Sequence, residues 1–124
     1  MERAHLVYST FPDAETALRV GEDLVRARLA ACVNVIPGMR SVYAWKGAVE
    51  RGEEVVAILK TRHGLGQALA EALKARHPYE TPIVLHLDVA EADPGTLAWI
   101  LAETGRDAVG TPQVGAPHCT GTSS

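Results

Sequence analysis

The sequence predicts an α+β fold in which helices cover one face of an antiparallel sheet. Two observations predict it. Four segments carry short β-prone apolar runs or alternating apolar residues, and three others repeat apolar residues at helical spacing. Along the chain the order is β-α-β-β-α-β followed by a further helix, which is the split βαβ, or ferredoxin-like, pattern. The predicted domain covers residues 1–104.

The first strand and helix are predicted from residues 5–29. Residues 5–10 are apolar and β-prone, which is typical of a short strand. Asp13 is a predicted N-cap, because its side chain can accept from a free amide of the first turn. Apolar residues then recur at helical spacing to about Leu29. Gly21 lies within this helix and predicts close packing against the sheet.

The next region predicts a long hairpin. Residues 31–46 form strand two, interrupted at Pro37-Gly38, where a bulge or an exposed edge is expected because proline lacks a ladder donor. Residues 53–61 form strand three, and residues 47–52 are assigned to the turn. Long unpaired edges of this kind favour association with another chain.

Two aromatic residues make an oligomer the expected state. Tyr43 and Trp45 are two positions apart on the predicted hairpin, so both side chains lie on one face. A monomer that exposed both would carry a large apolar patch on its surface. The residues alone therefore predict a homo-oligomer.

The second half of the domain repeats the strand and helix elements. Apolar residues from Leu65 to Leu73 keep helical spacing, and this helix must end near His77 because Pro78 disfavours helical geometry in the residue before it. Alternation over residues 83–89 predicts a half-buried fourth strand.

A last helix and a tail complete the chain. Asp93 is a predicted N-cap, with Pro94 at the first helical position, and the helix runs to Thr104 before a glycine stop. In residues 105–124, 11 of 20 residues are Gly, Pro, Ser or Thr. Such a segment cannot bury enough apolar surface to offset its ordering entropy, so a mobile tail is expected.

Composition and charge exclude some classes of partner and indicate a cellular compartment. The 124 residues suit one domain, and a net charge of -3 with only six aromatic residues predicts no nucleic-acid partner. Because no apolar run reaches the ~18–20 residues of a membrane span, no membrane partner is expected. Two cysteines make no disulfide framework, and the N-terminus shows no signal peptide, so the cytoplasm is the expected compartment.

One histidine stands in a tight cluster with a carboxylate. The five histidines are otherwise scattered, but His77 begins the segment His77-Pro-Tyr-Glu80. Since Pro78 imposes an extended path, His77 and Tyr79 share a side and Glu80 points away. A structural or pocket-lining His77 is therefore favoured over a metal ligand. In the tail, His118 and Cys119 suggest only adventitious metal binding.

Lys60 has two interpretations of equal weight. It ends the apolar third strand, where a lysine commonly extends its charged group to water. It would instead contact an anion if an oligomer brought it beside Trp45 and Tyr79, in a cleft at the subunit interface. No nucleophile is paired with a base along the sequence, so an enzyme is not expected.

Several segments together resemble a known family. Leu29-Ala-Ala-Cys-Val-Asn34, Ile36-Pro-Gly38, Ser41-Val-Tyr43, Trp45-Lys-Gly47, Lys60-Thr61 and His77-Pro-Tyr79 occur in one order and closely resemble the CutA divalent-cation-tolerance family over about residues 5–104. The resemblance implies a ferredoxin-like protomer in a homotrimer, a cytosolic role in divalent-cation tolerance, and no established enzymatic activity.

The resemblance also implies candidate site residues. Of the family's proposed metal ligands only His77 is present, because Ser9 and Ile83 stand where a cysteine and an acid are expected. It therefore implies no required cofactor and weak binding of copper or another divalent cation at His77. Trp45, Lys60 and Tyr79 match an interface cleft. The alternative function is a regulatory or adaptor trimer, similar to PII signalling proteins, that binds a small anionic ligand or a partner protein.

Overall fold

The computed structural model describes residues 2–105, so the predicted tail lies outside the described residues except for Gly105. The elements in chain order are β1 (Ala4–Phe11), α1 (Ala14–Arg26), β2 (Cys32–Trp45), β3 (Ala48–Arg62), a 3₁₀ turn (His63–Leu65), α2 (Gly66–Arg76), β4 (Leu85–Asp88) and α3 (Pro94–Glu103). This order confirms the predicted α+β fold.

The sheet has the strand order β2-β3-β1-β4, and every neighbouring pair is antiparallel. Helices α1 and α2 pack on one face. Because side chains alternate along a strand, that face collects every second residue of the central strands. The core consists of Val7 and Phe11 from β1, Val55, Ala57 and Leu59 from β3, and Ala17, Val20, Leu24, Leu69 and Leu73 from the helices, with Ala30. Burial of these side chains is the main source of stability.

Helix α1 begins as predicted and ends earlier. Asp13 Oδ1 accepts a 2.8 Å hydrogen bond from the Thr16 amide, which confirms the N-cap. The helix ends at Arg26 rather than near Leu29, because Arg28 takes a left-handed φ of 62°. The Arg28 guanidinium is held there by the carbonyl oxygens of Ala102, at 3.0 Å, and Gly105.

Gly21 is required by close packing between α1 and β2. A Cβ built at Gly21 would lie 3.0 Å from Cγ1 of Val33. This confirms the prediction that the glycine marks a close approach of helix and sheet.

The hairpin turn is tighter than predicted. Residues 47–52 were expected to form the turn, but β3 already begins at Ala48, which pairs with Trp45. Lys46 and Gly47 have φ values of 49° and 83°. A two-residue turn with positive φ at both central residues matches the twist of the flanking strands. The apolar pattern did not predict this turn, because Glu50, Arg51 and Gly52 interrupt the apolar residues at the start of β3. The bulge is confirmed between Ile36 and Met39.

The last two elements differ slightly from expectation. Strand β4 covers Leu85–Asp88 instead of residues 83–89, and Pro82, which lacks a backbone donor, precedes the shortened end. Asp93 occupies the N-cap position of α3, but its side chain makes no capping hydrogen bond. Gly105 has a φ of 83° and its amide donates to the Arg28 carbonyl at 3.0 Å, consistent with the predicted helix stop.

The second face of the sheet is only partly covered within residues 2–105. Helix α3 packs at one end of it, where Ile100 meets Ala4 and Ala31. The prediction of a half-buried fourth strand is wrong for the single chain, because all four residues of β4 are exposed, with Leu85 and Leu87 at 55% and 46%. We refer to this uncovered apolar surface, formed by Leu6, Tyr8, Ile36, Val56, Ile58, Leu85 and Leu87, as the open face.

Candidate functional site

His77 lies at the C-terminal end of α2 and is only 9% exposed. Its Nε2 is 2.7 Å from the Thr10 carbonyl oxygen, and its Nδ1 is 3.1 Å from the Tyr79 amide nitrogen. Because the carbonyl can only accept and the amide can only donate, Nε2 carries the proton and Nδ1 offers the lone pair. The ring also stacks on Phe11 at 4.2 Å between centroids. Both nitrogens of His77 therefore have partners in the folded chain.

The surroundings of His77 keep its ring neutral. Burial lowers the pKa of His77, while the Thr10 carbonyl and the Glu54 carboxylate act in the opposite direction. A neutral ring is the form that both hydrogen bonds require. This geometry fits a structural role for His77, one of the two roles that the sequence favoured over a metal ligand; His77 is not among the residues that line the groove described below.

Tyr79 connects the loop after α2 to the hairpin. Its hydroxyl donates a 3.0 Å hydrogen bond to Glu54 Oε2, and the Ser41 hydroxyl donates to Glu54 Oε1 at 3.1 Å. Burial, followed by the bond to Glu54 and its charge, raises the pKa of Tyr79 to about 12. Tyr79 is thus a neutral donor to an anionic acceptor across the physiological range.

A groove of about 750 Å³ runs between the hairpin and this loop. Trp45 and Tyr79, two of the three residues predicted for an interface cleft, both line this groove. Further apolar surface comes from Tyr8, Met39, Tyr43 and Ile83. The charged residues that line the groove are Glu53 and Glu54. Within one chain the groove is therefore aromatic and acidic.

Lys60 is not among the residues that line this groove. It pairs with Cys32 on one side and Leu6 on the other, near the far end of β3. Trp45 pairs with Ala48, so about twelve residues of strand, roughly 40 Å, separate Lys60 from Trp45. The predicted cleft of Trp45, Lys60 and Tyr79 can form only if a neighbouring subunit supplies Lys60.

Four residues that the sequence analysis did not bring together meet at another place. The histidines other than His77 were described as scattered, but His5, His63 and His86 are neighbours in the fold, beside Asp88. Their spacing along the chain does not reveal this cluster, because strand pairing brings the residues together. The signal available in the sequence was His86 and Asp88 at alternate positions of one strand.

Comparison with known proteins agrees with this fold. The family whose profile matches residues 5–103 is described as CutA1 divalent ion tolerance protein. A Pyrococcus horikoshii protein named divalent-cation tolerance protein CutA is 42% identical over 99 residues, covering 80% of this chain and 96% of the relative. A rice protein, Oryza sativa CutA 1, named chloroplastic, is 39% identical over 99 residues, covering 80% of this chain and 56% of the relative.

A solved structure supports the same relationship. The crystal structure of divalent ion tolerance protein CutA1 from Ehrlichia chaffeensis superposes with a TM-score of 0.81 at 32% identity, covering 86% of this chain and 99% of that one. Within residues 2–105, none of the helices combines the length and the hydrophobicity that crossing a membrane requires. Since the profile match spans nearly all of the described domain and the sequence identity extends through it, the chain belongs to the CutA1 divalent ion tolerance protein family.

Proposed function

We propose that this protein acts in the tolerance of divalent cations, as a cytoplasmic homotrimer that catalyses no reaction. The observation that carries the proposal is the family match over residues 5–103. The names of its relatives state a tolerance role and name no reaction. The rice relative is named chloroplastic, so the compartment varies among relatives, and the cytoplasm is proposed here from the sequence.

The open face supports the homotrimer. Its leucines and isoleucines would leave a large apolar area in water, and monomeric proteins seldom expose such a patch. Trp45 at the hairpin tip is 52% exposed as well. Association of three copies through the open face, with the hairpins reaching across to neighbours, would remove this surface from water. The same arrangement would bring Lys60 of one copy near the groove of another.

Weak binding of copper or another divalent cation at His77 is part of the proposal, with no cofactor required. The lone pair of His77 Nδ1 accepts from the Tyr79 amide, so a cation must displace that hydrogen bond. Ser9 is fully buried and Ile83 has no donor atom, so neither supplies a strong second ligand. One imidazole alone is a weak site, which is the physical reason to expect low affinity.

Growth in copper tests the proposed role. A bacterial strain that lacks its own family member is expected to regain copper tolerance when it expresses this chain. Equal growth with the chain and with an empty vector would contradict the role. Copper calorimetry on the full chain with His118→Ala and Cys119→Ser tests the site, and adding His77→Gln is expected to remove the weak binding event at His77. Equal heats with and without His77→Gln would exclude His77.

The regulatory alternative rests on the aromatic groove, whose volume of about 750 Å³ suits a small ligand. An anion there would need Lys60 of a neighbouring copy, since the charges in the groove of one chain are Glu53 and Glu54. A melting-temperature screen against anions and nucleotides tests this alternative. A shift that Lys60→Gln abolishes would support it, and unchanged melting with millimolar anions would contradict it.

A further inference from the structure

Three segments place histidine and aspartate side chains together at one end of the sheet. His5 of β1 and Asp88 of β4 are direct cross-strand partners, so their side chains lie on the same face. His63 follows β3 and is positioned by its amide, which donates to the Arg3 carbonyl at 2.8 Å. One ring nitrogen of each histidine and one oxygen of Asp88 lie within 4.8 Å of one another.

We propose that His5, His63 and Asp88 form a binding site for a divalent transition-metal cation of the zinc type. Imidazole nitrogens and a carboxylate oxygen are the ligands that Zn²⁺ takes in proteins, with water completing the shell. This site shares no residue with the one proposed at His77, so it goes beyond the proposed function and does not depend on it.

A buried atom without a partner is the second observation that points to a ligand here. His5 is only 6% exposed, and within residues 2–105 its Nδ1 has no hydrogen-bond partner. Buried polar atoms in folded proteins are nearly always satisfied. The described hydrogen bonds satisfy Nε2 of His5 through His86 and leave Nδ1 without a partner, and a bound cation gives Nδ1 one.

Neighbouring groups orient the proposed ligands. His86 Nδ1 lies 2.7 Å from His5 Nε2 and restrains the ring of His5. The guanidinium of Arg3 pairs with Asp88 Oδ2, while Asp88 Oδ1 lies 3.5 Å from His63 Nδ1. The second carboxylate oxygen is thus held by Arg3, and Oδ1 is directed toward His63. Such outer partners fix the orientation of metal ligands in known sites.

The freedom of the two exposed ligands also suits a cation. Ligand atoms at zinc-bond lengths lie within about 3–3.5 Å of one another. His63 and Asp88 are about half exposed, so small side-chain rotations can close the remaining distance.

Zinc calorimetry on the full chain tests this site, again with His118→Ala and Cys119→Ser to remove tail ligands. We expect one Zn²⁺ per chain to bind more tightly than any cation at His77, and His63→Ala or Asp88→Asn should each weaken this binding by about 100-fold or more, since even outer-shell losses cost 10–100-fold. Asp23→Asn, an exposed change on α1, is the matched control and should leave the affinity unchanged.

The outcomes separate the two proposed sites. His63 and Asp88 are exposed, so their variants should fold, which circular dichroism verifies. Unchanged affinity in both variants, or no zinc binding by the parent chain, would overturn the proposal. Zinc binding that only His77→Gln removes would do the same and would assign the cation to His77. Anomalous diffraction from a zinc-soaked crystal should place the ion beside His5.

Discussion

The hydroxyl of Tyr79 donates a 3.0 Å hydrogen bond to Oε2 of Glu54, which joins the loop after α2 to the long hairpin. The loop is extended there because Pro78 follows His77, and the hairpin is positioned by its bulge beside Met39. One polar contact therefore helps to fix the shape of the groove that Trp45 and Tyr79 both line.

Alkaline pH should weaken this contact. The pKa of Tyr79 is raised from 10.0 to about 12, so its stabilising contribution is complete below pH 10 and is lost as the pH rises toward 12. The free energy of unfolding, measured with denaturant, should fall over that window. Tyr79→Phe should lower it by about 1–2 kcal/mol at neutral pH and flatten the fall, because a bond to a charged acceptor is lost.

Tyr43→Phe is the matched control, since it removes another hydroxyl that lines the same groove. This variant should retain the alkaline fall. An equal alkaline fall in wild type and Tyr79→Phe would contradict the assignment to Tyr79.

Acidic pH should destabilise the fold through His77. Its folded pKa lies below the ordinary value of 6.5, so its contribution is complete above pH 6.5 and decreases as the pH falls through the lowered value. The free energy of unfolding should decline faster in wild type than in His77→Gln, which has no titrating ring. Because the pKa of His5 is lowered as well, some slope should remain in the variant. Identical acid profiles would exclude a contribution from His77.

The open face should control assembly. Light scattering should give about 40 kDa for wild type, three times the chain mass of 13.2 kDa. Leu85→Lys should yield particles near 13 kDa, because a lysine on a buried apolar interface leaves its charge without water or a partner.

Leu18→Lys is the matched control for assembly. Leu18 lies on α1 and is 54% exposed, against 55% for Leu85, so exposure alone does not distinguish the two leucines. The control should keep the mass of wild type. A wild-type chain of 13 kDa in dilute buffer would refute the homotrimer.

The hairpin tip should contribute to the stability of the trimer. Truncating a packed aromatic side chain costs roughly 3–5 kcal/mol, so Trp45→Ala should lower the melting temperature at fixed protein concentration. Val49→Ala, at a neighbouring position that is more exposed, should change it little. An unchanged melting temperature in Trp45→Ala would mean that Trp45 lies outside any interface.

Local sequence patterns predicted most of the helices and strands, but they did not predict the start of β3. Asp13 and Pro78 act through the backbone of their own segments, and Gly21 marks the close approach of α1 to β2, as expected. The start of β3 was missed because Glu50, Arg51 and Gly52 follow its first two apolar residues and break the apolar pattern, whereas its pairing with β2 is set by the turn at Lys46 and Gly47.

The groove and the histidine cluster depend on strand register, which local sequence patterns do not predict. Trp45 and Tyr79 were grouped by the family resemblance, and the fold does bring them to one groove. Lys60 was grouped with them, but strand register places it at the far end of β3. His5, His63 and Asp88 were not grouped at all, since the predicted strand order does not give the register that pairs His5 with Asp88.

The amino-acid order by itself determined the number and sequence of helices and strands, the caps and breaks, and the family. These depend on interactions between residues a few positions apart, which apolar spacing, prolines and glycines express directly. Only the tertiary structure decided which side chains share a site, because contacts such as His5 with Asp88 join residues more than eighty positions apart through the antiparallel pairing of β1 with β4.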